Sequence, residues 1–339
     1  MKMNFQQDLL AWYQEHKRDL SFRKNKEAYQ IWISEIMAQQ TRIEAMLDYH
    51  SRFVKELPTM KDLAMCDDEK LHKLWQGLGY YSRVKNLKKC AQICMGDYGG
   101  QLPQTKKELM KLPGIGAYTA GAIASIAFDE NVSAVDGNVI RVFSRLFYVT
   151  EDVNKTSTKK EIEQLVETSL PGSAWISDYN QALMELGALV CIPKNPRCEQ
   201  CPIQCHCLGF QHQDVKRLPI QTKKKTRKIE QKDIYILVYE DQIHIQKRKS
   251  TGLLADLYGF DEEKPCEDQI LGMRPLQPYT HIFTHVEWHM NASCIYVSQK
   301  QDDQYFTLSQ IHETIAIPSA FMPFLEEIER ENYICQKSL

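Results

Sequence analysis

The stretch LPGIGAYTAGAIASIAFDENVSAVDGN, residues 112–138, decides how this chain folds. It opens on Leu112-Pro113-Gly114-Ile115-Gly116, where two glycines let the backbone turn sharply between helices. Before the turn, Thr105 with Glu108 has the pattern of a capping box, which predicts a helix start. After it, Thr119–Phe128 is rich in Ala, Gly and Ile, so that helix can be approached closely on all sides. Backbone N–H groups left uncovered at such a turn sit at a helix N-terminus, where a phosphate oxygen binds favourably. Val135-Asp136-Gly137-Asn138 follows, and then Val139, Val142, Phe143 and Leu146 recur at helical spacing. Taken alone, the turn reads equally as an ordinary αα corner, and Asp136 as a helix N-cap. Order along the chain narrows the choice: a glycine hairpin, then an Asp, then four closely spaced cysteines.

The bulk properties set outer limits. A chain of 339 residues can hold two domains, and 43% hydrophobic with 25% charged residues is ordinary for a globular protein. No run is long and apolar enough to span a membrane, and residues 1–30 lack a signal-peptide core, so a cytoplasmic protein without a membrane partner is expected. The formal net charge of −2 requires any nucleic-acid partner to be met by positive charge gathered on one face. Of eleven cysteines, Cys66, Cys90, Cys94, Cys266, Cys294 and Cys335 are scattered and read as reduced thiols.

Taken in order, the N-terminal part reads as all-α. Helices are expected over 6–17, 31–47, 59–65, 68–76, 82–94, 159–168 and 178–190, with a polar loop at Arg18–Arg23. Glu35 lies in the second of these between Trp32 and Ile36, where a lone acid would ordinarily face solvent. Residues 211–231 read as a basic linker containing the run 223–228. Beyond it, strands are expected over 234–239, 243–245, 279–283, 286–297 and 305–308, followed by a helix around Phe321–Ile328. The division is therefore 1–210, linker 211–231, an α+β domain over 232–330 and a tail over 331–339. Within 1–210, a six-helix module occupies about 27–134, and 1–26 joins 135–210.

Cys191, Cys198, Cys201 and Cys207 supply four thiolates within 17 positions. Zinc sites usually pair two CxxC knuckles or recruit histidine. A single CxxC with wide flanking gaps suits a 4Fe–4S cubane held by an enveloping loop, with zinc as the alternative. Cys205 breaks the spacing and reads as a bystander.

These features together resemble the helix-hairpin-helix DNA glycosylases that carry an iron–sulfur cluster, and specifically the MutY-type adenine DNA glycosylases. Trp32-Ile-Ser-Glu35-Ile-Met-Ala-Gln39-Gln40-Thr41 resembles their catalytic-glutamate helix, and Val135–Asn138 their catalytic-aspartate segment. Gly77-Leu78-Gly79-Tyr80 is similar to their DNA-wedge loop, and Tyr279-Thr-His-Ile-Phe283-Thr284-His285 to their lesion-reading motif. The resemblance implies an all-α glycosylase core with a 4Fe–4S loop and a C-terminal Nudix-like α+β domain. It implies a monomeric, nucleoid-associated repair enzyme that removes adenine mispaired with 8-oxoguanine or guanine in double-stranded DNA. Glu35, Asp136, Tyr118 and Asn138 become the catalytic set. Arg18, Phe22, Arg23, Gln40, Thr41, Leu78, Tyr80, Gly114, Gly116, Gln181, Phe283, Thr284 and His285 become base or DNA contacts.

Two carboxylates suit this chemistry. Adenine is a poor anionic leaving group, so a buried acid, Glu35, would protonate it at N7, and burial would raise that acid's pKa. Asp136 would meet the oxocarbenium-like sugar, much as in a retaining glycosidase. Tyr118 would orient the Asp136 site. It stands where strand-cleaving relatives carry lysine, and a phenol cannot form their Schiff base. The family's Pro-Trp-Arg is Ser21-Phe22-Arg23 here, Ala38 is smaller than usual, and Thr284 replaces a serine; the first two imply a roomier base pocket. No Gly-x5-Glu…Arg-Glu-x2-Glu-Glu box occurs in 232–330, so the C-terminal domain should bind without hydrolysing nucleotides, and Asp261-Glu262-Glu263 reads as a solvated acidic turn. The competing functions are an endonuclease-III-type glycosylase/lyase, a non-catalytic iron–sulfur DNA-binding protein and a Nudix hydrolase.

Overall fold

A computed structural model describes residues 5–222 and 226–334; the expected basic run 223–228 lies partly, and Cys335 wholly, outside the described residues. The chain divides into two compact units, residues 1–65 with 85–223, and residues 66–84 with 224–339. The short segment 66–84 thus groups with the C-terminal strands, a departure from a contiguous 27–134 module.

The first unit is helical. Its hairpin helix, Ala117–Phe128, is buried over Thr119–Ile126, as its small residues require. Gly114 takes φ +79, and a Cβ there would meet Asn86 Cβ at 2.7 Å, so the turn before that helix depends on glycine. Asp136 caps the next helix, Gly137–Leu146. The helix Ile176–Leu189 approaches that start so closely that a Cβ on Gly187 would lie 2.5 Å from Asn138 Cβ. The expected helix over 31–47 is in fact two, Ala28–Ala38 and Ile43–Glu56. The break falls at Gln39–Arg42, where Gln40 adopts φ 61. Arg18–Arg23 is not wholly loop: Ser21–Lys24 forms a helical turn that buries Phe22. No helix among the described residues is long and apolar enough to cross a membrane.

The second unit is built on a mixed sheet. Lys228–Tyr239 runs parallel to Val286–Val297, with Ile234 opposite Ala292 and Ile236 opposite Cys294. Alternation along the latter turns Val286, Trp288, Met290, Ala292 and Cys294 inward. Ile270–Pro275 and Tyr279–Ile282 pair antiparallel with it, and Gln242–His244 joins Lys228–Tyr239 to Tyr305–Thr307. The strand at 270–275 carries no strong sequence pattern, whereas the helix Leu308–Thr314 starts at a capping box of Thr307 and Gln310 that went unmarked in the sequence. The linker as read over 211–231 is shorter, because pairing with Val286–Val297 draws residues 228–231 into the strand.

The acidic turn is also corrected. Asp261 is buried and bonds His244 Nδ1 at 2.8 Å and Gln246 Nε2 at 2.8 Å, while Glu262 pairs with Lys232 and Arg248, each at 2.7 Å. Internal partners, invisible locally, bury Asp261 and leave Glu262 half-buried, while Glu263 stays exposed as expected. In the same unit, Lys73 Nζ donates to the carbonyls of Ile311 and Ile315 and Gln76 Nε2 to that of Ile317, which ties 66–84 to the helix Leu308–Thr314 and the segment after it.

Candidate active site and cysteine loop

The first unit holds a cavity of about 820 Å³. The helix Ala28–Ala38 brings Glu35 to it, the hairpin helix brings Tyr118, and the start of Gly137–Leu146 brings Asp136 and Asn138. Arg18, Phe22, Arg23, Gln40, Thr41 and Gly116 line it too, as does Ala38.

Tyr118 donates a 2.5 Å hydrogen bond to Glu35 Oε2. Its hydroxyl was expected at Asp136; the bond to Glu35 instead follows from both side chains entering the cavity together. Burial raises the Glu35 carboxyl above its ordinary range, the Asp136 charge raises it further, and Tyr118 and Arg23 pull the other way. The Tyr118 phenol is pushed well up, first by burial and then by the two carboxylates, so it stays a donor. Asp136 Oδ1 accepts from Val139 N at 2.7 Å and Oδ2 from Asn138 Nδ2 at 2.8 Å. Burial also raises Asp136, against those bonds and Arg141. The two carboxyls are nevertheless unequal: Asp136 has N–H donors and a helix N-terminus that favour the anion, and Glu35 has one phenol. These bonds favour the anion at Asp136 more than at Glu35.

Glu185 completes this wall and went unmarked in the sequence. It is wholly buried and accepts from Arg18 Nε at 2.6 Å and Arg23 Nη1 at 2.9 Å. Burial would raise its pKa, but Arg18 and Arg23 together hold it below the ordinary carboxylate range. A lone acid in the apolar run Ala182-Leu183-Met184-Glu185-Leu186 was the available signal, the same one Glu35 gives. Gln181, by contrast, is not in the cavity wall. It is buried and donates to Ser177 O and Oγ one turn back in its own helix, which turns its amide away.

The other expected contacts lie elsewhere. Leu78 is buried, while Tyr80 is 46% exposed at the tip of a turn pinned by Trp75 Nε1 on Gly79 O and Arg83 Nη2 on Leu78 O. The Leu78 wedge is thus corrected to an inward-facing side chain, with Tyr80 as the projecting one. In the same unit Tyr80 OH shares a 2.8 Å hydrogen bond with Thr284 Oγ1. Thr284 and His285 are exposed, and Phe283 stacks edge-on against Trp288 at 4.9 Å.

Cys191, Cys198, Cys201 and Cys207 line one small cavity with Arg197, Phe210 and Val215. Arg145, 2% exposed, also lines it and binds the loop at the carbonyls of Cys191, Ile192 and Pro193 and at Cys191 Sγ, 3.2 Å away. Nothing local distinguishes Arg145 except its place on the buried side of an apolar helix. Burial pushes the Cys201 thiol up to about 12, and the neighbouring sulfurs add to it. A metal ligand must be the thiolate, and four cysteines around one small cavity are a donor set that fits a compensating cationic core.

A family model described as "HhH-GPD superfamily base excision DNA repair protein" matches residues 33–170, and one described as "NUDIX domain" matches residues 234–327. An adenine DNA glycosylase of Buchnera aphidicola subsp. Baizongia pistaciae is 32% identical over 87% of this chain and 87% of its own length. The rat adenine DNA glycosylase is 43% identical over 63% of this chain. The structure of a thermostable thymine-DNA glycosylase superposes with a TM-score of 0.57 at 29% identity, covering 61% of this chain and 95% of that one. The chain spans well under half the length of the mammalian relatives, 43% of the rat protein.

Proposed function

The chain belongs to the adenine DNA glycosylase family, and from that premise we propose that it removes adenine mispaired with 8-oxoguanine or guanine in duplex DNA. The observation that carries this reading is the convergence of Glu35, Tyr118 and Asp136 on one cavity large enough for a flipped nucleoside.

With Tyr118 bonded to Oε2, the free oxygen of neutral Glu35 delivers its proton to N7 of the flipped adenine, and the C1′–N9 bond breaks with its electron pair leaving on the base. Asp136, held anionic by Val139 N and Asn138, stabilises the resulting oxocarbenium sugar. Water, deprotonated by the now ionised Glu35, completes the hydrolysis. Arg18 and Arg23, fixed by Glu185, form the cavity wall beside the base. Since Tyr118 cannot form an imine, the DNA backbone stays intact.

Phe283, Thr284 and His285 read the base opposite adenine, and Tyr80 projects into the stack beside them. The pre-formed Tyr80–Thr284 bond supports this pairing of roles. Gly114 and Gly116 at the hairpin offer backbone N–H groups to phosphate.

Cys191, Cys198, Cys201 and Cys207 would hold a 4Fe–4S cluster. Zinc sites usually pair two CxxC knuckles or recruit histidine, whereas one CxxC with wide flanking gaps, its four cysteines lining one small cavity, suits the larger core. When bound, the cluster supplies a rigid thiolate-linked anchor for the loop.

Single-turnover assays on duplexes carrying adenine opposite 8-oxoguanine, guanine or thymine test the proposal. Excision from the first two should leave an abasic strand that breaks only in hot alkali. Borohydride trapping of a protein–DNA adduct at lyase levels would overturn it.

A further inference from the structure

Cys205 has no place among the four loop ligands, yet its neighbours give it one of its own. Asp8 stands in the first turn of the helix Phe5–His16, and Cys205 and His206 lie in the turn Gln204–His206. Folding brings the two segments together: His206 Nε2 lies 2.8 Å from Asp8 Oδ2. One donor atom from each of the three side chains, a carboxylate oxygen, a thiol sulfur and an imidazole nitrogen, lies within 4.8 Å of the other two. Asp8 and Cys205 are exposed and His206 is half-buried, so an ion can enter from solvent. Gln211 Nε2 donates to the Cys205 carbonyl at 3.1 Å and steadies the turn.

A hydrogen bond accounts for Asp8 with His206. It does not account for a sulfur at the third corner. Thiolate, imidazole and carboxylate are the donor types zinc takes, at ~2.3, ~2.0 and ~2.1 Å. Tetrahedral geometry then separates neighbouring donors by about 3.3–3.6 Å, so the 2.8 Å pair needs to open only slightly.

We propose that Asp8, Cys205 and His206 form a second metal site, separate from the four-cysteine loop, that binds one zinc-like divalent ion with water in the fourth position. The Cys205 thiol gives its proton to solvent as the Zn–S bond forms. Because the ligands are 198 positions apart in sequence, the ion staples the first helix to the turn before Cys207. Binding stabilises the folded state by mass action.

The test uses the full chain, purified anaerobically with its iron content measured and loosely held metal removed by a brief chelator wash. Titration with Co²⁺ should add one ion per chain, with a sulfur-to-cobalt charge-transfer band, and one equivalent of Zn²⁺ should displace it while iron stays constant. Cys205→Ser should abolish the band at unchanged iron content. His206→Asn and Asp8→Asn should each weaken Co²⁺ binding at least about tenfold, the loss seen even for partners one shell removed from a metal. Thermal melting should rise with Zn²⁺ in the wild type and not in His206→Asn. Failure of the wild type to bind Co²⁺, an undiminished band in Cys205→Ser, or iron lost as Co²⁺ enters would each overturn the proposal. None of these readouts depends on glycosylase activity.

Discussion

In the cavity, Glu35 receives a bond from Tyr118, Asp136 receives two from its own helix start, and Glu185 holds both arginines of the wall. Beyond the strand Tyr279–Ile282, in the other unit, Thr284 and His285 point into solvent, with Tyr80 as a neighbour across a single hydroxyl-to-hydroxyl bond. On the proposed function, the two regions would differ because their tasks do. Moving a proton requires a carboxyl taken out of water and fixed in place, so that its pKa and its aim are both set before the substrate arrives. Reading a base on a passing duplex requires side chains that remain accessible until contact is made.

The largest effect should separate the two regions outright. Glu35→Gln should lower single-turnover excision by about 10²–10⁴-fold, the usual contribution of a positioned general acid. Binding to the mispaired duplex should be nearly unchanged, and a fully active variant would show that the acid lies elsewhere. Removing a loop ligand should act more broadly. Cys198→Ser protein should lose the roughly four iron atoms per chain expected of a cubane, whereas Cys205→Ser keeps them; stoichiometric zinc without iron in the wild type would remove the cluster from the account.

A smaller effect is expected at the exposed tip. Thr284→Ala combined with His285→Ala should reduce the preference for 8-oxoguanine over guanine by ~1–3 kcal/mol, leaving excision opposite guanine in place. If both substrates slow equally, the tip serves excision itself and the contrast between the regions fails.

The smallest effects concern pH. Asn138→Ala removes a donor to the Asp136 carboxylate, so the Asp136 pKa should rise further and the acid-side loss of activity should begin at higher pH. The alkaline limb, set by Glu35, should stay put. Stability offers an independent reading. Because burial raises the folded-state pKa of Glu35, its contribution to stability is most favourable below the unfolded carboxylate pKa and is lost as pH rises through the folded one. Glu35→Gln should therefore melt higher than the wild type at neutral pH, with the gain shrinking toward pH 4. A gain independent of pH would mean that Glu35 is not desolvated in solution.

What the sequence determined by itself was local. The glycines of the hairpin, the Asp136 cap, the spacing of the four cysteines and the alternation of Val286–Val297 each express a turn angle, a helix start, a ligand loop or a strand period within 17 residues. Glu35 could be singled out because a charge among apolar neighbours is conspicuous in one dimension. The tertiary structure alone decided which distant groups meet. It broke the 31–47 helix at Gln40, delivered Glu185 to Arg18 and Arg23, and buried Arg145 against the cysteine loop. It also turned Gln181 and Leu78 inward, drew 66–84 to the C-terminal strands and laid Lys228–Tyr239 parallel to Val286–Val297. The physical reason is range: propensity and periodicity act between near neighbours in the chain, whereas a buried charge is tolerable only beside a partner whose position depends on the whole fold.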